Sequence, residues 1–116
     1  MTLRPNLVTF SIPCDDIDVA ADFYRRLLGK EPEEPAPGNV EFELAEGTWL
    51  QLNADPAEKG QPARILLGVD DIDAAAADAT SAGAEVSPIE TYESVMAWAE
   101  ATGPAHQRLS LVQIKL

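Results

Sequence analysis

The sequence has one cysteine, one histidine and few basic residues, and each scarcity excludes a class of protein. A single thiol, Cys14, cannot form an intramolecular disulfide, which predicts a protein of the reducing cytoplasm. No apolar run is long enough to span a membrane, and the N-terminus lacks the basic-then-apolar order of a secretion signal. Eight Lys and Arg against 20 Asp and Glu give a net charge of -12, so we expect no nucleic-acid or membrane partner.

The lone histidine also limits metal and nucleophilic chemistry. Catalytic zinc or iron sites need about three imidazole, thiolate or carboxylate donors that converge in space. His106 lies in a predicted turn, and the sequence places no Ser, Cys or carboxylate partner beside it. Cys14 falls between a predicted strand and a predicted helix, which is typical of a small buried thiol. We therefore predict no catalytic residue, no metal and no cofactor.

One acidic phrase occurs twice, as Asp15-Asp16-Ile17-Asp18 and as Asp70-Asp71-Ile72-Asp73, at an offset of 55 positions. Each copy follows an apolar run and opens a helix-like stretch that ends at a glycine, Gly29 or Gly83. The shared flanks indicate an internal duplication. We expect a single domain, 1–116, made of two half-modules, about 1–56 and 61–116, with a ligand-binding cleft between them.

The residue patterns predict the same order of elements in both halves. Period-two alternation predicts strands, and Asp15 or Asp16 and Asp70 or Asp71 cap the helices. The stretch from Tyr92 to Ala101 has the propensity of a helix, but the repeat requires a strand there. The expected strands are 7–12, 40–45, 48–53, 64–69, 93–100 and 107–115, with an exposed, turn-forming connector at 30–38 and extended chain at 84–88. This order predicts an α+β domain.

Three segments carry a resemblance to a known family. SIPCDDIDVAADFYRRLLG (Ser11–Gly29) and LLGVDDIDAAAADATSAGAEV (Leu66–Val86) resemble the helix-opening segments of the vicinal oxygen chelate superfamily. That group includes glyoxalase I, extradiol dioxygenases and bleomycin-resistance proteins, and LSLVQ (Leu109–Gln113) is similar to its last strand. The resemblance implies paired βαβββ modules that form a concave cleft, commonly completed by a homodimer.

Enzymes of that superfamily hold a divalent metal through His, Glu or Gln at four strand positions. The resemblance places these positions at Thr9, Gln51, Arg64 and Ser110, of which only Gln51 carries such a group. Arg64 would place a fixed cation beside a metal. The usual Asp-Pro-x-Gly turn before the last strand is replaced by residues 103–107 (GPAHQ). The resemblance therefore implies the metal-free, bleomycin-resistance-like branch.

The strand faces turned away from the helices should line the cleft. Two indoles, carboxylates and hydrogen-bonding groups on these faces suit a flat, cationic, heteroaromatic ligand. The predicted ligand-binding residues are Thr9, Glu41, Glu43, Trp49, Gln51, Arg64, Met96, Trp98 and Ser110, with Ser11 and Asn53 on the same faces. Alternatively, the two tryptophans are core or dimer-interface residues, and Glu41 and Glu43 form a solvated strand face.

The sequence thus predicts a non-catalytic small-molecule-binding protein, with antibiotics of the bleomycin type among the candidate ligands. The alternative is a metal-dependent lyase, isomerase or dioxygenase of the same superfamily with a degenerate site. A third interpretation is a partner or regulatory subunit that keeps the fold and binds no small ligand.

Overall fold

The computed structural model describes residues 3–115, which divide into two compact units. Residues 9–63 form the first unit, and residues 3–8 and 64–115 form the second. The expected single domain of two half-modules stays a prediction, and its outer limits, 1 and 116, lie outside the described residues. No helix in residues 3–115 is both long and apolar enough to cross a membrane.

The first unit contains one helix and four strands. Its elements are β1 (Leu7–Pro13, from Thr9 onward in this unit), α1 (Ile17–Leu28), β2 (Glu33–Ala36), β3 (Asn39–Ala45), β4 (Thr48–Asn53) and a turn of 3-10 helix (Pro56–Glu58). The strand order is β2-β3-β4-β1, and β3 is antiparallel to both β2 and β4.

The start and end of α1 follow from two residues that the sequence singled out. The Asp16 carboxylate accepts a hydrogen bond from the Val19 backbone N–H at 3.1 Å, which satisfies one of the unpaired donors of the first turn. Gly29 ends the helix in the left-handed conformation at φ 67°, where its N–H bonds the Arg25 carbonyl. The apolar faces of α1 and the sheet then form a core around Ala21, Val40, Phe42, Leu50 and Leu52.

Strand β2 corrects the sequence prediction for the connector at 30–38. That segment was expected to be turn-forming, yet Glu33–Ala36 pairs with β3 at the edge of the sheet. All four residues are exposed, so the strand buries no side chain and leaves no alternation to detect. Pro35 fits an edge strand because its missing N–H can face away from the neighbouring strand.

The second unit repeats the helix and the sheet. Its elements are β5 (Arg64–Gly68), α2 (Ile72–Ser81), β6 (Glu85–Val86), β7 (Glu90–Tyr92), β8 (Met96–Thr102) and β9 (Arg108–Ile114). The strand order is β5-β9-β8-β6, with β7 also on β8; β5 and β9 are parallel, and β8 and β9 are antiparallel. Asp71 caps α2 through the Ala74 N–H at 3.1 Å. The α+β class is therefore confirmed.

The chain from Tyr92 to Ala101 contains no helix, and most of it is strand, as the repeat required. The predicted strand at 93–100 was wrong in its bounds, because β7 ends at Tyr92 and β8 begins at Met96. Glu93 and Ser94 have φ of 48° and 59° and turn the chain between β7 and β8. Glycine and asparagine are the usual residues at such left-handed positions. Neither occurs between β7 and β8, so the sequence carries no turn signal at this point.

Candidate functional site

In each unit, one sheet face packs on the helix and the other carries polar side chains. In the first unit Phe42 and Leu52 are buried at 1% and 0% exposure, while Glu41 and Gln51 alternate with them on the opposite face. In the second unit the buried residues of β8 are Ala97, Ala99 and Ala101. Met96, Trp98 and Glu100 therefore lie on the opposite face of β8.

The first unit holds a line of three hydrogen-bonded side chains across β1, β4 and β3, the Ser11–Gln51–Glu41 line. The Ser11 hydroxyl donates to Gln51 Oε1 at 2.8 Å, and Gln51 Nε2 donates to Glu41 Oε2 at 2.9 Å. Glu41 and Gln51 are also register partners on neighbouring strands. The amide of Gln51 is thereby fixed in one orientation. Among residues 3–115, none donates a hydrogen bond to the second carboxylate oxygen of Glu41, and no cationic side chain pairs with it.

An indole and a second carboxylate lie beside this line. Trp49 is half-buried and stands opposite the exposed Glu43 in the register of β3 and β4. Trp49 and Gln51 are two residues apart on one strand face, which places them roughly 7 Å from each other. The first unit therefore presents an aromatic surface, an oriented amide and an open carboxylate on one face.

The second unit holds an ion pair on its polar face. Arg64 Nη1 donates to Glu100 Oε2 and, at 3.2 Å, to the Leu109 carbonyl, and the Ser110 hydroxyl donates to the same Glu100 oxygen. Glu100 and Ser110 are register partners on β8 and β9. The Arg64 side chain is 20% exposed and the Glu100 side chain 46%, so the pair is partly screened by solvent. The charge of Glu100 is balanced within the protein.

The predicted site residues are divided between the two units. Glu41, Glu43, Trp49 and Gln51 share the polar face of the first unit, and Arg64, Met96, Trp98 and Ser110 belong to the second. Thr9 is 7% exposed, and no described hydrogen bond joins its hydroxyl to Glu41. That these residues bind a ligand stays a prediction.

Sequence reasoning missed Glu100. Glu100 follows Met96 and Trp98 in the same period-two alternation, which was the available signal. Its pairing with Arg64, 36 positions away, was not visible in the sequence.

A cavity of about 390 Å³ extends the polar face of the first unit at the ends of β3 and β4. Amide and carboxylate groups dominate its polar lining, and it contains no lysine or arginine. The lining residues are Pro37, Gly38, Asn39, Gln51, Asn53, Ala54, Asp55 and Pro56. The Gln51 side chain thus joins the cavity to the Ser11–Gln51–Glu41 line.

The residues at the four positions that would hold a metal do not fit one. Thr9 and Ser110 offer neutral hydroxyls, Arg64 offers a cation, and the Gln51 carbonyl oxygen already accepts from Ser11. No group of three or more His, Cys, Asp and Glu able to hold a metal ion occurs within residues 3–115. His106 lies in the turn before β9, at φ 66°.

Cys14 is a half-buried thiol at the edge of the first core. Its Sγ lies 3.4 Å from the Ile12 carbonyl oxygen. Burial raises the pKa of the Cys14 thiol, a backbone hydrogen bond with Asn53 partly offsets this, and the negative charge of Asp15 adds to the rise. The reactive thiolate is therefore scarce near neutral pH, as expected for a packing residue.

Comparison with known proteins places this arrangement in a family. A glyoxalase/bleomycin resistance protein/dioxygenase superfamily member from Vibrio splendidus 12B01 is 20% identical with a TM-score of 0.66, over 97% of this chain and 99% of that one. A Streptomyces coelicolor methylmalonyl-CoA epimerase variant in complex with 2-nitronate-propionyl-CoA is 22% identical with a TM-score of 0.68, over 99% and 100%. An NAD-dependent benzaldehyde dehydrogenase from Legionella pneumophila is 21% identical with a TM-score of 0.69, over 96% and 100%.

These identities establish a shared fold and no shared activity. A comparison with curated proteins finds no match. The family model of the glyoxalase-like domain, in contrast, matches residues 8–105, which is most of the chain. The chain therefore belongs to the glyoxalase-like domain family, within the vicinal oxygen chelate superfamily that its sequence resembles.

Proposed function

We propose that this protein binds a small organic cation and does not change it chemically. The observation that carries the proposal is the polar face of the first unit. There Trp49 lies diagonally across the strand pair from Glu41, Gln51 donates to the Glu41 carboxylate, and no cationic side chain within residues 3–115 pairs with that carboxylate. An aromatic face and a carboxylate together favour a cation that carries an apolar or aromatic part. The net charge of -12 attracts such ligands at long range.

Trp98 stays part of the proposal as a contact on the second unit. It is half-buried on the polar face and stands opposite Glu90 on β7 in the strand register. On the polar face of β8 the charge of Glu100 is balanced by Arg64, and the Ser110 hydroxyl donates to the same Oε2 oxygen. We therefore expect the first unit to dominate binding. A homodimer, in which the superfamily commonly completes its cleft, also belongs to the proposal, and light scattering after gel filtration would test it.

An enzyme of the same superfamily is the second candidate, because one carboxylate oxygen of Glu41 is open to accept a proton from a bound substrate. Because one structural neighbour is a methylmalonyl-CoA epimerase, isomerase activity is the first to assay. Against this candidate, the side chain that donates to Glu41 is the neutral amide of Gln51. Within residues 3–115 no cationic side chain pairs with Glu41, and no metal donor set occurs that could stabilise a developing negative charge.

Tryptophan fluorescence tests the binding proposal directly. The panel contains bleomycin, simple aromatic cations and their neutral analogues, titrated into the wild-type protein and into Trp49→Phe and Trp98→Phe. We expect saturable quenching by cations in the wild type and in Trp98→Phe. In Trp49→Phe, where the reporter indole of this face is gone, calorimetry should show an affinity that is roughly 3-fold to 30-fold weaker because phenylalanine gives a weaker cation–π attraction.

Two substitutions that each remove one negative charge test the role of Glu41, one at the proposed site and one as its control. Glu41→Gln removes the open carboxylate, whereas Glu46→Gln neutralises an exposed residue in the turn between β3 and β4. Glu41→Gln should weaken binding about tenfold or more, and Glu46→Gln should leave it nearly unchanged. Equal effects of the two variants, or flat signals across the panel, would refute binding at this face. Recovery of the ligand intact, with no exchange of its carbon-bound hydrogen in D₂O, separates binding from catalysis.

A further inference from the structure

In the second unit a side chain of the protein, Arg64, binds the glutamate on the polar face, whereas among the described residues of the first unit no such side chain does. We infer that the cation bound at Glu41 is a guanidinium or an amidinium group, because the equivalent carboxylate, Glu100, already holds the guanidinium of Arg64. This inference rests on the proposed function and names the chemical class of its ligand.

Two independent alignments make Glu41 and Glu100 equivalent. The strand register pairs Glu41 with Gln51 in the first unit and Glu100 with Ser110 in the second, in both cases a glutamate on the penultimate strand and a hydrogen-bonding residue on the last. The duplicated acidic phrase, at its offset of 55, pairs Ser11 with Leu66. Ser11 bonds Gln51, and Leu66 is the register partner of Ser110, so the two alignments agree.

The same offset pairs Arg64 with Thr9. In the second unit Arg64 extends its guanidinium to the Glu100 carboxylate and the Leu109 carbonyl. In the first unit the side chain of Thr9 is too short for that role, and no cationic side chain of the described residues pairs with Glu41. The place that a protein guanidinium fills in one copy is thus free for an external one in the other.

The surrounding groups favour a planar, multi-donor cation over a compact or a fully alkylated one. A carboxylate binds a guanidinium or amidinium through directed N–H bonds, which a quaternary ammonium cannot make. Trp49 stands diagonally across the strand pair from Glu41, a separation of roughly 7–8 Å between the two residues. An aryl group attached to the cation can reach the indole over that distance, so arylguanidinium and benzamidinium compounds are the best match.

Three probes of one size separate charge from hydrogen bonding. Phenylguanidinium carries both, phenyltrimethylammonium carries the charge alone, and phenylurea carries the planar N–H donors without the charge. In Trp98→Phe, where Trp49 is the remaining indole, we expect phenylguanidinium to bind at least about tenfold more tightly than either of the other two. Equal affinities for the two cations would overturn the inference and leave the proposed binding of organic cations intact. No response to any probe would refute the proposed function itself.

Two substitutions exchange the roles of the units. Thr9→Arg should place a guanidinium of the protein at Glu41 and abolish phenylguanidinium binding there. Arg64→Thr should free Glu100 and raise the number of methylguanidinium sites from one to two, counted by calorimetry or NMR. Circular dichroism checks that both variants fold. If Thr9→Arg does not fold, Arg64→Thr and the probe series decide the question. An unchanged count in folded Arg64→Thr would overturn the inference.

Discussion

The two units repeat one arrangement but fill it with side chains of different size and charge. In the first unit Tyr24 packs on Phe42, with ring centroids 6.1 Å apart; at the equivalent places the second unit has Ala79 and Ala101. The glutamate of the penultimate strand is open in the first unit and closed by an arginine in the second. The two copies of a duplicated fold can therefore keep the same helix caps and strand register although only one of them pairs its glutamate with an arginine of the protein.

Each core should be destabilised when one of its residues is replaced by a residue of the size found in the other unit. Phe42→Ala removes a ring that is 1% exposed from the larger core and leaves a cavity beside Tyr24. We expect the free energy of unfolding to fall by about 3–5 kcal/mol, measured by urea denaturation. A loss below about 1 kcal/mol would mean that this core collapses around the gap and that the size difference between the units matters little.

The reverse exchange tests the smaller core. Ala101 is 1% exposed on β8, so Ala101→Leu inserts three further carbons at a buried position. Overpacking should lower the free energy of unfolding by about 1–3 kcal/mol in the same urea experiment. An increase in stability would show that the second core is underpacked rather than built for small residues. Ala101→Gly is the matched control, because it adds no volume and shows how sensitive this position is to substitution without overpacking.

Both helices should depend on their caps by similar amounts. Asp16→Ala and Asp71→Ala each remove a carboxylate that accepts a backbone N–H at 3.1 Å. Each should cost about 1 kcal/mol in thermal or urea unfolding, whereas Asp16→Asn and Asp71→Asn should cost only a few tenths. A much larger loss for Asp71→Ala would indicate that the alanine-rich α2 is held mainly by its cap.

Cys14 has a counterpart of different chemistry, since the offset of 55 places Val69 at the same point of the second core. Burial raises the folded-state pKa of the Cys14 thiol, so the folded protein keeps the proton when the unfolded chain has lost it. Its contribution to stability is complete below the unfolded pKa, about 8.5, and is lost as the pH rises toward the folded value. Cys14→Val should remove this alkaline loss, measured by urea denaturation at neutral and alkaline pH. An unchanged pH profile would contradict it.

Much of this fold could be predicted from the sequence because its signals are local. Asp16 and Asp71 mark helix starts, Gly29 marks a helix end, and alternation along β3 and β4 separates Phe42 from Glu41. The missed features depend on distant partners. Strand β2 exists because β3 offers a free edge, and its exposed residues carry no pattern.

The candidate site divides in the same way. The faces that carry Trp49 and Gln51 follow from strand alternation. Whether a charged residue on such a face is open or paired depends on which strands become neighbours. Arg64 looked like a cation available at the site, and the structure shows that it closes onto Glu100. That pairing joins residues 36 positions apart, so it could not be predicted from local pattern.

NMR of the wild-type side chains with phenylguanidinium added tests the central claim most directly. The Gln51 NH₂ group donates to Glu41 in the first unit, and the Arg64 guanidinium donates to Glu100 in the second, so each unit carries its own reporter. The account predicts saturable shifts of the Gln51 NH₂ signals, with the Arg64 guanidinium signals unmoved. Shifts at Arg64 with Gln51 unmoved would contradict it, as would no shift at either residue.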